Sequence, residues 1–343
     1  MPAQGERRRI LKRGDAETRR KQKAICGSIF FVFLRVSAFY SQAFGTNSES
    51  AVEREVKVGI RAAKSLSTCE TVNIHPTALI HPQARLGERV SVGPFAVIES
   101  GVEIGDGCVV HSHAVICSGV AMGKDNAIGH GAILGGEPQD FAFKPEVRSR
   151  VVIGDGNKIR EHVTIHRGTT EGSETVVGDE CFLMAGSHLA HNVRLASNVV
   201  IANNAALGGY VEMGERVFVG GGCVFHQHVR VGRLAICQGG SAFSADVPPF
   251  VIASEVNIVS GLNVTGLRRA GMNAAERAEI KRAFDLLFRS GRNVSQAIEA
   301  AASETWTGSG RAFWDFVAGA KKRGLSAMAG GRRVARTKTA AAG

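Results

Sequence analysis

An apolar residue recurs at every sixth position along most of this 343-residue chain. From Ile74 the steps fall on Ile80, Leu86, Val92, Ile98, Ile104, Val110, Ile116, Met122, Ile128 and Leu134. The register slips through "GGEPQDFAFKPEVRSRVV", resumes at Ile153, Ile159 and Ile165, and breaks at Glu171. It then runs from Val177 through Leu183, Leu189, Leu195, Ile201, Leu207, Met213, Val219, Phe225, Val231, Cys237 and Phe243. Six is neither the helical period of 3.6 nor the strand period of 2; it is the hexapeptide period of a parallel β-helix. Each hexapeptide makes a short strand and a corner, three make an 18-residue coil, and coils stack at ~4.8 Å. The repeats predict a mainly β protein of roughly nine coils.

The segment 135–151, with Pro138, Pro145 and charged side chains, is then a loop expelled from the prism, and loops of this length in compact folds are usually functional. After Pro248 and Pro249 the period changes to 3.6. "NAAERAEIKRAFDLLFRSG" opens on Asn273 as N-cap with Glu276 as capping-box partner and stops at Gly291. "NVSQAIEAAASE" and "GSGRAFWDFVAGAKKRG" read as two further helices. The expected division is a leader over 1–71, the β-helix over 72–252, a small α-helical C-terminal domain over 253–324, and a basic, disordered tail over 325–343.

Charge and cysteines narrow the function. The net charge of +11 is confined to the ends: residues 1–23 hold nine Lys/Arg and three acids, and 321–343 hold seven Lys/Arg and no acid. The remaining 26 basic and 28 acidic residues leave the folded part without a basic surface, so no nucleic-acid partner is expected. Seven scattered cysteines without a CxxC pair argue against a disulfide framework or thiolate zinc site and fit reduced thiols in the cytoplasm. The apolar run Ile29–Leu34 is broken by Arg35 and is far too short to span a bilayer. Residues 1 to about 60 are read as an unstructured leader or the product of an upstream start, with no stable membrane insertion expected.

Residues 18 apart lie one above another in such a prism, so His191, Gly209 and Gln227 form a column, flanked by Asn192, Tyr210, His226 and His228. None occupies an inward apolar position, so the cluster is expected to face outward. A homotrimer, with the cluster in a cleft between neighbouring subunits, is the expected assembly. His75, His81, His111, His113 and His130 are read as solvated surface residues.

Six segments carry a resemblance: "NKIREHVTIHRGT" from Asn157, "GSHLAHN" from Gly186, "ANNAALGG" from Ala202, "VFHQ" from Val224, "DVPPF" from Asp246 and "GLNVTGLRRAG" from Gly261. In order over about residues 72–320, they resemble the acyl-carrier-protein:UDP-N-acetylglucosamine O-acyltransferases of lipid A synthesis. Known prisms of this type are left-handed, against the usual crossover rule. The resemblance implies transfer of an acyl group, expected to be 3-hydroxyacyl, from acyl carrier protein to the sugar 3-hydroxyl, with no metal or dissociable cofactor. It assigns His191 as general base and the Gly209 N–H as oxyanion donor. It places His188 and His226 on the sugar nucleotide, Arg269 on the nucleotide end or the carrier's phosphopantetheine, and Gly239 at the floor of the acyl groove. Further substrate contacts are implied at Gln139, Asp140, His166, Gln227 and Asn263.

The chain departs from the family pattern at four points. Ala142 stands where the family has Lys, with Lys144 two residues on as a substitute; Tyr210 replaces a His, Asn192 an acidic residue, and Thr265 a Glu. These leave open another UDP-sugar as acceptor, for example a 3-amino sugar. A hexapeptide-type zinc carbonic anhydrase is disfavoured because the His188, His191 and His226 spacing does not resemble its ligand pattern. A non-catalytic scaffold is disfavoured by the retention of His191 and Gly209.

Overall fold

The computed structural model describes residues 73–320 and 324–328; the expected leader lies outside them, as do Cys26 and Cys69. Strands of mostly two residues alternate with corners and stack into three sheets of twelve, nine and eight strands. Pairing within the coils is parallel, and in most coils the partners are 18 residues apart, as in His188 with Ala206 and Leu207 with Phe225. The two breaks in register are insertions at corners. Ala127 pairs with Lys158 across the loop, and Lys158 with Phe182 across one extra hexapeptide containing Glu171.

The repeated apolar positions point inward: from Val92 to Phe243 each is buried, while Ile74 is 44% exposed because among the described residues the first coil has a neighbour on one side only. A second inward residue lies two positions before each repeat, small or β-branched in most coils, as at Ala96, Val163 and Val217. At two polar positions the side-chain groups are paired within the stack: Asn157 donates Nδ2–H to Asn126 Oδ1 at 3.0 Å, and Asn126 donates to the carbonyls of Gly123 and Gly154; the buried Ser187 hydroxyl has no partner among the described residues. Full burial of such apolar side chains contributes about 1.5–3 kcal/mol each, so the stacked core holds the corners in register.

The corners need left-handed backbone. Asn, Asp and His tolerate it better than other side chains, and Asn192, Asn198 and Asn204 take it; so do the bulkier Tyr210 and Phe250.

The strands Ile133–Gly136 and Arg150–Ile153 run further into the expected loop than its 135–151 bounds allow, leaving 137–149 outside the sheets. Arg167 pins this loop. Its guanidinium donates to the carbonyls of Val147 (2.6 Å) and Pro145 (3.1 Å) and lies 4.9 Å from the Phe143 ring centroid.

Above the last coil, an antiparallel hairpin of Val251–Ser254 and Ile258–Leu262 leads to four helices: α1 (Val264–Arg269), α2 (Ala274–Phe288), α3 (Val294–Ala302) and α4 (Gly308–Ala318). The hairpin and α1 carry no sustained period and were not anticipated as elements. The Asn273–Glu276 capping box is formed in both directions, and Asn293 with Gln296 repeats it at α3. Phe284 of α2 joins the prism core, while Phe313, Trp314 and Val317 of α4 pack with Ile280 and Leu287 of α2 into a second one. The tail expectation needs correcting at its start. Ala327–Met328 is a strand paired with Ile258–Leu262, and Ser326 is buried, because the end strand of the hairpin offers unpaired backbone groups.

Candidate active site

The column expected from the repeat is assembled at one corner of the prism. The Tyr210 N–H donates to the His191 carbonyl at 3.0 Å and the His228 N–H to the Gly209 carbonyl at 2.8 Å, tying three successive coils together. Gly209 lies directly above His191: a β-carbon on it would stand 2.3 Å from the imidazole Cε1 and 2.5 Å from Nε2. Glycine is therefore what lets the His191 ring lie this close. Among the described residues no acceptor takes the Gly209 N–H. Gln227 is exposed on the next coil. His226 is exposed beside it, with Nδ1 3.2 Å from the Gln227 carbonyl.

His188 stands on strand His188–Leu189, half-buried, with Nδ1 2.7 Å from Thr164 Oγ1. His166 lies behind it, edge-on at 4.8 Å between ring centroids, only 8% exposed and with Nδ1 unpartnered. Burial, aided by the proximity of His188 and His191, pushes the His166 ring down to about 4, and burial also lowers His188. Both rings are thus neutral near pH 7, and His166 is placed to support His188 more than to meet a ligand itself.

Asn192 points away from the core yet is only 8% exposed, because the segment around Thr169 covers it. The Thr169 N–H and hydroxyl both approach Asn192 Oδ1 at 3.1 Å, and His191 Nδ1 approaches it at 3.0 Å. A backbone N–H is always a donor, so the amide atom facing it is the oxygen, and an oxygen facing Nδ1 can only accept. His191 therefore carries its proton on Nδ1 and presents the Nε2 lone pair. Tyr210 OH lies 3.1 Å from Thr169 Oγ1, and its ring is perpendicular to His191 at 5.3 Å and stacked on His228 at 4.6 Å.

The other expected contacts lie apart within one chain. Gln139, Asp140 and Lys144 are exposed in the loop, which leaves the same corner two coils below His191; Asp140 Oδ1 accepts the Ala142 N–H at 2.9 Å. Gly239 sits exposed at a different corner, after strand Ile236–Cys237. Arg269 and Thr265 are exposed on α1. Asn263 is 4% exposed and caps α1, with Oδ1 accepting the Gly266 N–H and Nδ2 donating to the Leu234 carbonyl, so both ends of its amide are engaged.

Sequence reasoning did not single out Thr164, Arg167 or Thr169, although all three lie in the "TIHRGT" stretch; their partners lie 20 to 24 residues away, and for Thr169 also 41 residues away at Tyr210. A recess of about 190 Å³ lined by Gly172, Ser173, Glu174, Asn192, Arg194, Tyr210 and Glu212 is too small for a sugar nucleotide, since ligand pockets run to about 300–1,000 Å³. Cys117 and Cys181 are half-buried and buried, and burial pushes both thiols up to about 11, which removes them as nucleophiles at neutral pH. Among the described residues no group of three His, Cys, Asp or Glu is placed to hold a metal ion, and no helix is long and apolar enough to cross a membrane.

A stack of hexapeptide coils with a histidine set against an open backbone amide defines a hexapeptide transferase. Residues 83–118 and 174–209 match the family described as bacterial transferase hexapeptide (six repeats), and 246–326 match UDP N-acetylglucosamine O-acyltransferase, domain 2. The acyl-(acyl-carrier-protein)–UDP-N-acetylglucosamine O-acyltransferase of Burkholderia orbicola is 43% identical over 225 residues, 65% of this chain and 86% of that protein. The UDP-N-acetylglucosamine acyltransferase structures from Bacteroides fragilis (36% identity, TM-score 0.70, 73% of this chain and 98% of that one) and Francisella novicida (32%, 0.72, 78% and 98%) share the fold. The chain belongs to the acyl-(acyl-carrier-protein)–UDP-N-acetylglucosamine O-acyltransferase family.

Proposed function

We propose that this protein transfers a 3-hydroxyacyl group from acyl carrier protein to the 3-hydroxyl of UDP-N-acetylglucosamine, the first step of lipid A synthesis, with His191 as general base. The observation that carries the reading is the approach of His191 Nε2 to Gly209, with Nδ1 committed to Asn192. Nε2 takes the proton of the sugar 3-hydroxyl as that oxygen attacks the thioester carbonyl. The Gly209 N–H donates to the oxygen of the tetrahedral intermediate. When the intermediate collapses, the C–S bond breaks and the imidazolium returns its proton to the departing phosphopantetheine sulfur, giving acyl-sugar and free carrier thiol. No atom is left unbalanced and no cofactor enters.

His188, His226 and Gln227 line the same corner and bind the sugar nucleotide, with His166 holding His188 in place. Gln139, Asp140, Lys144, Gly239, Arg269 and Asn263 reach the substrates from other edges, Asn263 by setting the start of α1. Their dispersal over one chain, and the small recess at the corner, support a homotrimer in which a neighbouring subunit completes the cleft; the scattered cysteines without a CxxC pair support a cytoplasmic location. Incubating the protein with UDP-N-acetylglucosamine and 3-hydroxyacyl carrier proteins of several lengths, with mass spectrometry of the product, tests acceptor, donor and acyl length together. Acylation of a different UDP-sugar in preference would overturn the acceptor assignment.

A further inference from the structure

The bonds around Asn192 form a directed chain. Its Oδ1 receives the Thr169 N–H, the Thr169 hydroxyl and the His191 Nδ1–H, all at 3.0–3.1 Å. With the Thr169 proton so used, the donor left for Thr169 Oγ1 among the described residues is the Tyr210 hydroxyl 3.1 Å away. The direction is then Tyr210 OH to Thr169 Oγ1 to Asn192 Oδ1, meeting the Nδ1–H of His191 from the other side. The ends of the chain are anchored: the Asn192 N–H donates to the buried Thr175 hydroxyl at 2.8 Å, and the Tyr210 ring is held between His191 and His228.

We propose that Tyr210 and Thr169 are positioning residues that act on His191 through Asn192, fixing its tautomer and aim with a partner that is neutral throughout the reaction. This rests on His191 serving as the base. A carboxylate at 192 would also accept three donors, but it would favour the imidazolium and so make the base easier to protonate. The neutral amide orients the ring without that bias. Each donor on Oδ1 helps fix the amide of Asn192, so loss of the distal hydroxyl frees Thr169 to reorient and loosens the oxygen that aims His191. The titratable groups around the ring are His166, His188 and Tyr210, with His226 and His228 on the coil above and Glu174, Arg194 and Glu212 around the adjoining recess; none replaces the Asn192 oxygen at Nδ1.

The test compares full-length Tyr210→Phe, Thr169→Val, Thr169→Ser, Asn192→Asp and His191→Ala with the wild type, reading kcat, KM, the pH dependence of kcat/KM and Tm. Tyr210→Phe keeps the ring stack and removes one hydroxyl; kcat is expected to fall about fivefold with KM unchanged, and Thr169→Val about tenfold, as expected for loss of aim. The double variant should be no worse than Thr169→Val alone, since both cut one chain. Thr169→Ser should restore kcat, and Asn192→Asp should move the acid limb of kcat/KM up by about one pH unit. Wild-type kcat in Tyr210→Phe, multiplying losses in the double variant, or losses confined to KM or Tm overturn the relay. If any of these occurs while His191→Ala abolishes turnover, the base stands and the relay falls; near-normal turnover in His191→Ala removes the base itself.

Discussion

The imidazole of His191 fills the space that a side chain on Gly209 would need, with Cε1 2.3 Å and Nε2 2.5 Å from where a β-carbon would stand. The 18-residue stack puts an imidazole and a backbone N–H without an acceptor among the described residues at one point, and the proposed acyl transfer uses that pairing. Gly209→Ala should therefore push the ring aside. Because the atoms met belong to a side chain, the fold should tolerate it, with Tm nearly unchanged and kcat lower by about 10²-fold. Wild-type turnover in a folded Gly209→Ala protein would show that the ring need not lie there.

His188 is held by Thr164 and kept neutral by burial. If it binds the sugar nucleotide equally in the ground and transition states, His188→Ala should raise KM for the UDP-sugar about tenfold and leave kcat nearly unchanged. A loss expressed in kcat alone would place His188 in the chemical step instead.

His166 ties stability to pH. In the unfolded chain its ring takes a proton near 6.5, in the folded protein only near 4, so unfolding takes up a proton between those values. Its contribution is complete above about pH 6.5 and is lost as pH falls toward 4, by up to about 3 kcal/mol; His188, lowered in the same direction, adds to the slope. Urea midpoints measured from pH 7.5 to 4.5 should fall steeply in the wild type and less steeply in His166→Gln. Parallel curves would place the acid sensitivity elsewhere.

The helical domain is clamped to the prism by Arg230 and Asp246. Arg230 donates Nε and Nη2 to Asp246 Oδ2 at 2.9 and 2.8 Å, donates Nη2 to the Phe316 carbonyl, and covers the Phe316 ring at 4.5 Å, while Asp246 is 2% exposed. Removing one partner of a buried pair costs about 3 kcal/mol or more. Asp246→Ala should lower Tm by about 8 °C; a change below about 2 °C would show that the apolar contacts of α2 and α4 suffice.

The six-residue period made the prism legible because one apolar side chain per strand must face the core, and the Asn273–Glu276 box marked α2 because its two bonds lie within four residues. The column of His191, Gly209 and Gln227 followed from arithmetic alone. Contacts across an irregular coil were not legible. Thr169 reaches Asn192 only because an extra hexapeptide at Glu171 carries the chain out and back over it, and the strand Ala327–Met328 is too short to show a period. Asn263 is a ligand contact only by the resemblance, and what the residues alone do not show is that both ends of its amide are used by α1 and Leu234.

The central claim is acyl transfer by His191, and single-turnover mass spectrometry tests it most directly. Wild-type protein mixed with 3-hydroxyacyl carrier protein and UDP-N-acetylglucosamine should add one acyl group to the sugar and release the carrier thiol. A folded His191→Ala protein should do so about 10² to 10⁴ times more slowly. Equal rates in the two proteins, or no acyl-sugar from the wild type with any carrier-bound hydroxyacyl chain, would contradict the account.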